Sequence, residues 1–179
     1  MPEIEPDKPA SAWNLGEVGR RRSVLLAARL REFRPAVIWS SREPKAIETA
    51  QILASDFGVP VKIADGLEEH HRENVPFLPS KEEFEEAVER FFRCPDRLVL
   101  GKETAEQSRE RFSVTIEKVL EAAHADSIVV THGTVMTLFT ASVGGVQPMD
   151  FWRRLGLPSY VVLAVPEMRI QFVVESFSS

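Results

Sequence analysis

Three short clusters carry side chains able to do chemistry. Ser40-Ser41-Arg42-Glu43-Pro44-Lys45 sets hydroxyls and cations around a carboxylate and a proline, and Glu68-Glu69-His70-His71-Arg72 joins carboxylates to imidazoles. Thr131-His132-Gly133-Thr134 places an imidazole beside a glycine. Cations and hydroxyls hold an anion, a neutral imidazole attacks or carries a proton, and a carboxyl group protonates a leaving oxygen. Lys45 stands in the first turn of a helix, against the helix dipole, so a cation there points to a bound anion. Gly133 lets backbone come close to a ligand beside His132. Each cluster also has a plain structural use: the serines as helix caps, His132 as a packed core histidine, Glu69-His70-His71 as an exposed loop. As a metal site that last cluster has no recognised ligand spacing.

The elements that must position these clusters follow from apolar periodicity. Residues 1–14, with Pro2, Pro6 and Pro9, read as an irregular lead-in. A helix starts near Gly16, carries Val18, Leu25, Leu26, Leu30 and Phe33 on one side, and ends before Pro35. Ala36 to Trp39 reads as a buried strand, and a helix with Pro44 in its first turn runs to Gly58. Val59 to Ala64 is a second short strand, and residues 67–80 are a long loop. Helices follow on Phe84, Val88, Phe91 and Phe92, and on Phe112, Ile116, Val119, Leu120 and Ala123. Ser127 to Thr131 is an apolar strand that leads into a helix carrying Val135, Leu138, Phe139 and Val143. A short helix is expected at 147–154, then an antiparallel pair, Tyr160 to Val165 and Arg169 to Glu175. Strands alternating with helices predict an α/β fold of three layers, α/β/α, around a mostly parallel sheet. In such sheets ligands collect beyond the carboxyl ends of the strands, where all three clusters fall.

Composition bounds the rest. The chain has 179 residues, 44% of them hydrophobic, which predicts one domain able to bury a core without staples. A single cysteine, Cys94, forms no internal disulfide, and the start has neither the basic flank nor the apolar run of a signal peptide. A cytoplasmic protein with no membrane span is the expectation. With 22 basic against 27 acidic residues, the balance argues against nucleic acid as a partner. The arginines at 20–22, 29, 31 and 34 read as a solvated helix face, as do Glu82 to Glu89. There is no Walker phosphate loop, no GxGxxG after a strand, no GxSxG and no HExxH.

Several stretches together resemble the histidine phosphatase superfamily, with its phosphoglycerate mutase-like fold. They are WNLGEVGRRRSVLLAARL (13–30), IWSSREPKAIETA (38–50), Leu67-Glu68-Glu69, GKETAEQSRERF (101–112) and IVVTHGT (128–134). The resemblance implies a phosphomonoester phosphatase that passes a phosphoryl group through a histidine ring nitrogen, acting on a small phosphorylated substrate without a metal or cofactor. By matching position, Lys45 stands where the family has a phosphate-binding arginine, and His132 matches a histidine that binds phosphoryl oxygens. Ser41 joins that phosphate-binding set. Glu69 matches the proton donor, with Glu68 as its neighbour and alternative. Lysine keeps the charge at position 45 and loses the planar, two-pronged grip on oxygens.

One departure is larger. The family's opening strand, with an Arg-His-Gly motif that supplies the nucleophile, has no counterpart, since the first histidine in the chain is His70. The chain as written therefore lacks the family's phosphohistidine, and strands beside the missing one are expected to keep unpaired edges or find a substitute. Either translation starts upstream of Met1, which the abrupt beginning favours, or this is a shortened relative that binds without catalysing: a pseudophosphatase recognising phosphate or a protein. Substrate identity and oligomeric state are not encoded legibly. Arg72, Phe77 and Leu78 are candidates for the entrance, as Phe151 and Trp152 are for an interface or core.

Overall fold

The computed structural model of the protein describes residues 1–75, 80–123 and 125–176, so Phe77 and Leu78 lie outside the described residues. Its helices begin and end where the chain supplies caps. Gly16 precedes α1 (Glu17–Arg29), and Pro44 opens α2 (Pro44–Phe57), which stops at Gly58 in the left-handed region, φ 68°. Ser80 caps α3 (Lys81–Arg93), and Thr104 with Gln107 forms a reciprocal capping box on α4 (Ala105–Ala122). The helices α5 (Gly133–Gly144) and α6 (Pro148–Arg154) complete the set.

The strands β1 (Val37–Ser40), β2 (Val61–Ile63) and β3 (Ser127–Val130) form a parallel sheet in the order β2-β1-β3. Ile38 faces Ile128 and Trp39 faces Val129 across the central pair. Alternation along the strands divides the core in two. On one side Ile38 packs with Leu26, Ala27 and Leu30 and with Ala50, Leu53 and Ala54 of α2. Trp39 and Val129 turn to the other side, against Phe112 and Ile116 of α4 and Val135 and Phe139 of α5. The result is the α/β/α layering expected of the phosphoglycerate mutase-like fold.

The expected antiparallel pair is present as β4 (Tyr160–Ala164) and β5 (Arg169–Val174), with an irregular register between Val162 and Leu163. It forms a separate two-stranded sheet. A cavity of about 1510 Å³ is lined by every residue of β3 and β4, together with residues of the lead-in, α1, α2, α4 and α5.

Two sequence expectations need correction. Val18 and Leu25 are exposed at 41% and 42%, because α1 buries Gly19, Ser23, Leu26 and Ala27 instead, Gly19 close to Met1 and Leu15, and Leu26 and Ala27 in one cluster with α2. The lead-in is also more ordered than its prolines suggest. Pro2 bridges Leu15, Ala10–Ala12 forms one 3-10 turn, and the amide of Gly16 donates to Met1 O. No helix among the described residues is long and apolar enough to cross a membrane.

Candidate active site

The carboxyl ends of β1 and β3 lie side by side, and the chain leaves both toward the same face of the sheet. β1 delivers Ser40 and Ser41, then α2 starts and carries Lys45 in its first turn. β3 delivers Thr131 and His132, with His132 as the residue before α5. The third cluster arrives on the loop after β2, pinned by Thr131 Oγ1 donating to Leu67 O at 2.8 Å.

Ser41 is fully buried, and its Oγ is hydrogen-bonded with His132 Nε2 at 2.7 Å. It therefore positions the imidazole and does not line the cavity, whereas Lys45, Glu69 and His132 all do. Lys45 Nζ donates to Ala10 O at 2.6 Å and to the Glu43 carboxylate, so the lead-in closes one side of the site. The anion inferred from a cation at a helix start is thus supplied, in this state, by the chain itself.

Glu43 is the residue that sequence reasoning left without a role. It is only 4% exposed, and its Oε1 accepts the amide of Glu69 at 2.8 Å and lies 3.4 Å from His132 Nε2. Its Oε2 meets Lys45 Nζ. A carboxylate so placed presents two oxygens to the groups expected to hold phosphate oxygens. An acid beside Pro44 looks like an ordinary helix cap, which is why the sequence gives no warning.

Glu69 lies across the start of α5. Its Oε2 accepts the amide of Thr134 at 3.1 Å, and its Oε1 accepts those of Val135 at 3.2 Å and His70 at 3.0 Å. Burial alone raises its pKa, but Arg72 and the amides of His70 and Thr134 oppose it, and the carboxyl lies below its usual range. Burial lowers the pKa of His132, reinforced by Lys45 and opposed by Glu43 and Glu69, so the ring favours its neutral form. Glu68 turns away: its Oε2 accepts the amide of Gly66 at 2.7 Å, and Arg42 lies 3.2 Å from its Oε1. His70 and His71 do not act together. His70 is 2% exposed and packs its ring 4.2 Å from that of Phe91, while His71 faces Glu103 at 3.7 Å. Arg72 is placed over the ring of Phe84, 4.8 Å from its centroid, on the cavity wall.

A clamp from α4 fixes the loop that carries Glu69. Arg111 donates to the carbonyls of Gly66, Glu68 and Glu69 at 2.9, 3.1 and 3.2 Å, and to both oxygens of Glu103. Glu103 also accepts the amide of His71 at 3.0 Å, and these donors overcome burial to bring its pKa down to about 2. Gly101, at φ +85°, makes the contact possible, because a Cβ there would stand 2.2 Å from His71 O. Both charged residues lie in the 101–112 stretch, where their spacing of eight on either side of a capping box was the available signal.

The arrangement puts a lysine, a neutral imidazole, two carboxylates and a helix start around the end of one cavity. Residues 9–175 match the family described as the histidine phosphatase superfamily, branch 1. Among solved structures, the chain is similar to mycobacterial glucosyl-3-phosphoglycerate phosphatase in complex with inorganic phosphate, at 19% identity and TM-score 0.74, covering 98% of this chain and 93% of that one. It is similar to Bacillus stearothermophilus YhfR at 18% identity and TM-score 0.71, covering 96% and 89%. The alpha-ribazole phosphatase from Shigella flexneri follows at 17% identity and TM-score 0.67, covering 94% and 87%. These likenesses establish the fold. No curated protein matches the sequence.

Proposed function

The chain belongs to the histidine phosphatase superfamily, and from that premise we propose that it serves phosphomonoester hydrolysis through a phosphohistidine. The nucleophilic imidazole comes from residues outside this sequence. Its ring nitrogen attacks phosphorus, the bond from phosphorus to the ester oxygen breaks, and Glu69 gives the leaving alcohol its proton. Water then gives a proton to the Glu69 carboxylate as its oxygen attacks phosphorus, the P–N bond breaks, and phosphate departs. Lys45 and His132 hold the equatorial oxygens, with Ser41 fixing the imidazole. In the free site Glu69 favours its carboxylate form, and a bound phosphate dianion beside it raises its proton affinity. The carrying observation is that Lys45, Glu69 and His132, far apart in sequence, line one cavity and all meet the Glu43 carboxylate.

A second reading is favoured by Glu43, whose carboxylate already engages Lys45 and approaches His132. On that reading the protein is a module that binds phosphate and does not turn it over. Hydrolysis of an aryl phosphate by protein that includes the in-frame codons upstream of Met1 separates the two. The enzyme reading expects turnover that drops about tenfold or more in His132→Ala. No turnover, with phosphate binding retained, leaves the binding module.

A further inference from the structure

The lysine and arginine side chains that line the cavity do not all stand alike. Lys8 pairs with Glu5, Lys45 with Glu43, Lys81 with Glu85, and Arg153 with both Glu85 and Glu89. Arg72 differs: among the described residues it has no carboxylate partner and no side-chain hydrogen bond. Its guanidinium is set over the ring of Phe84, 4.8 Å from the centroid. Phe84 in turn meets Trp152, with ring centroids 5.9 Å apart and planes tilted by 60°. The backbone at Arg72 is tied as well, since its carbonyl accepts the amide of Val75 at 2.9 Å. The loop after β2, α3 and α6 thus all help to fix this cation on the cavity wall. Stacking occupies a face of a guanidinium and leaves its N–H edges free, and free donors on a cavity wall call for an oxyanion.

We propose that Arg72 receives a carboxylate carried by the alcohol part of the phosphate ester, which makes it a specificity-determining residue for the leaving group. This rests on the reading of Lys45 and His132 as the phosphate site. Glu69, which on that reading protonates the leaving oxygen, lies three positions before Arg72. The Arg72 charge is also among the influences on the Glu69 carboxyl, so the guanidinium stands near the leaving group. The planar fork of a guanidinium matches two oxygens held in one plane, the geometry of a carboxylate. A single cation balances a single negative charge, whereas a second phosphate dianion asks for a cluster of cations. Glu73, beside Arg72, already pairs with Lys102 at 3.5 Å, which leaves no second cation from that side. An ester without the carboxylate leaves the Arg72 donors unused, and a site built to bond a polar group discriminates against ligands that lack it.

Calorimetric titration of the whole chain with phosphonates, which need no turnover to be read, tests it. The probes are propylphosphonate, its carboxylate-ended relatives phosphonoacetate, 3-phosphonopropionate and 4-phosphonobutyrate, and propane-1,3-bisphosphonate. At least one carboxylate probe is expected to bind about tenfold or more tighter than propylphosphonate. In Arg72→Met, which keeps an unbranched side chain against Phe84, that ratio is expected to fall to near one. Arg72→Lys is expected to restore it only in part, because an ammonium keeps the charge and loses the fork. Binding of propylphosphonate with no gain from any carboxylate would overturn the proposal and leave the phosphate site standing. A gain that survives in Arg72→Met would overturn it too, by placing the carboxylate elsewhere. A bisphosphonate bound more tightly than every carboxylate probe would overturn the carboxylate in favour of a second phosphate. No binding of any probe, propylphosphonate included, would remove the phosphate site and the carboxylate subsite together.

Discussion

Ser41 Oγ and His132 Nε2 lie 2.7 Å apart across 91 positions of sequence, both buried at the ends of adjacent parallel strands. The contact depends on the register that sets Ser40 against Val130, and it orients the imidazole toward the cavity.

Ser41→Ala removes that contact and leaves a buried ring nitrogen without its hydroxyl partner. The expected cost is about 1–3 kcal/mol of stability, read from urea unfolding. A loss of phosphate binding out of proportion to that cost would show that the hydroxyl also matters for ligand; equal stability would show that His132 is held by other groups.

Glu43→Gln keeps the shape of the side chain and removes the negative charge from Lys45. Affinity for inorganic phosphate, measured by calorimetric titration, is expected to rise by about tenfold or more. Unchanged or weaker affinity would mean that the Glu43 carboxylate and phosphate do not compete.

Arg111→Ala strips the donors from three loop carbonyls and leaves Glu103 buried without its partner. Breaking a buried pair in this way is expected to cost about 3–5 kcal/mol. The same pair sets an acid limit. Glu103 has its pKa lowered from 4.5 to about 2, so its contribution is complete above pH 4.5 and disappears as pH falls toward 2. That shift corresponds to roughly 3 kcal/mol. Glu103→Gln should flatten the stability profile between those pH values, and an unchanged profile would remove the pair as its source.

His132 adds a second limit at higher pH. Burial lowers its pKa below 6.5, so the unfolded chain takes up a proton there before the folded one does. Stability from this source is complete above pH 6.5 and declines as pH falls below it. His70 shifts the same way for the same leading cause. His132→Asn should reduce the decline just below pH 6.5. An identical slope would assign it to other groups.

The sequence was most legible where one local signal sufficed. Pro44 and Gly58 bound α2, Thr104 starts α4, and the run from Ser127 leads through β3 to His132. It was least legible where two segments had to meet before either residue had a role. Glu43 looks like a cap until the Glu69 amide and Lys45 are seen beside it. Arg111 looks like a solvated helix residue until the loop after β2 folds under it. The α1 stripe misled for a related reason: its wheel offers two plausible faces, and the buried one sets Gly19 close to Met1 and Leu15 and packs Leu26 and Ala27 with α2.

The most direct test is whether the cavity end recognises phosphate at all. Thermal unfolding of the whole chain in increasing inorganic phosphate, beside Lys45→Ala and Glu43→Gln, reads this without requiring turnover. Ligand at about a hundredfold over its dissociation constant stabilises by about 2.7 kcal/mol, so a rise of several degrees is expected in the native chain. The rise should be larger in Glu43→Gln and absent in Lys45→Ala. A midpoint indifferent to phosphate in both the native chain and Glu43→Gln would contradict the site.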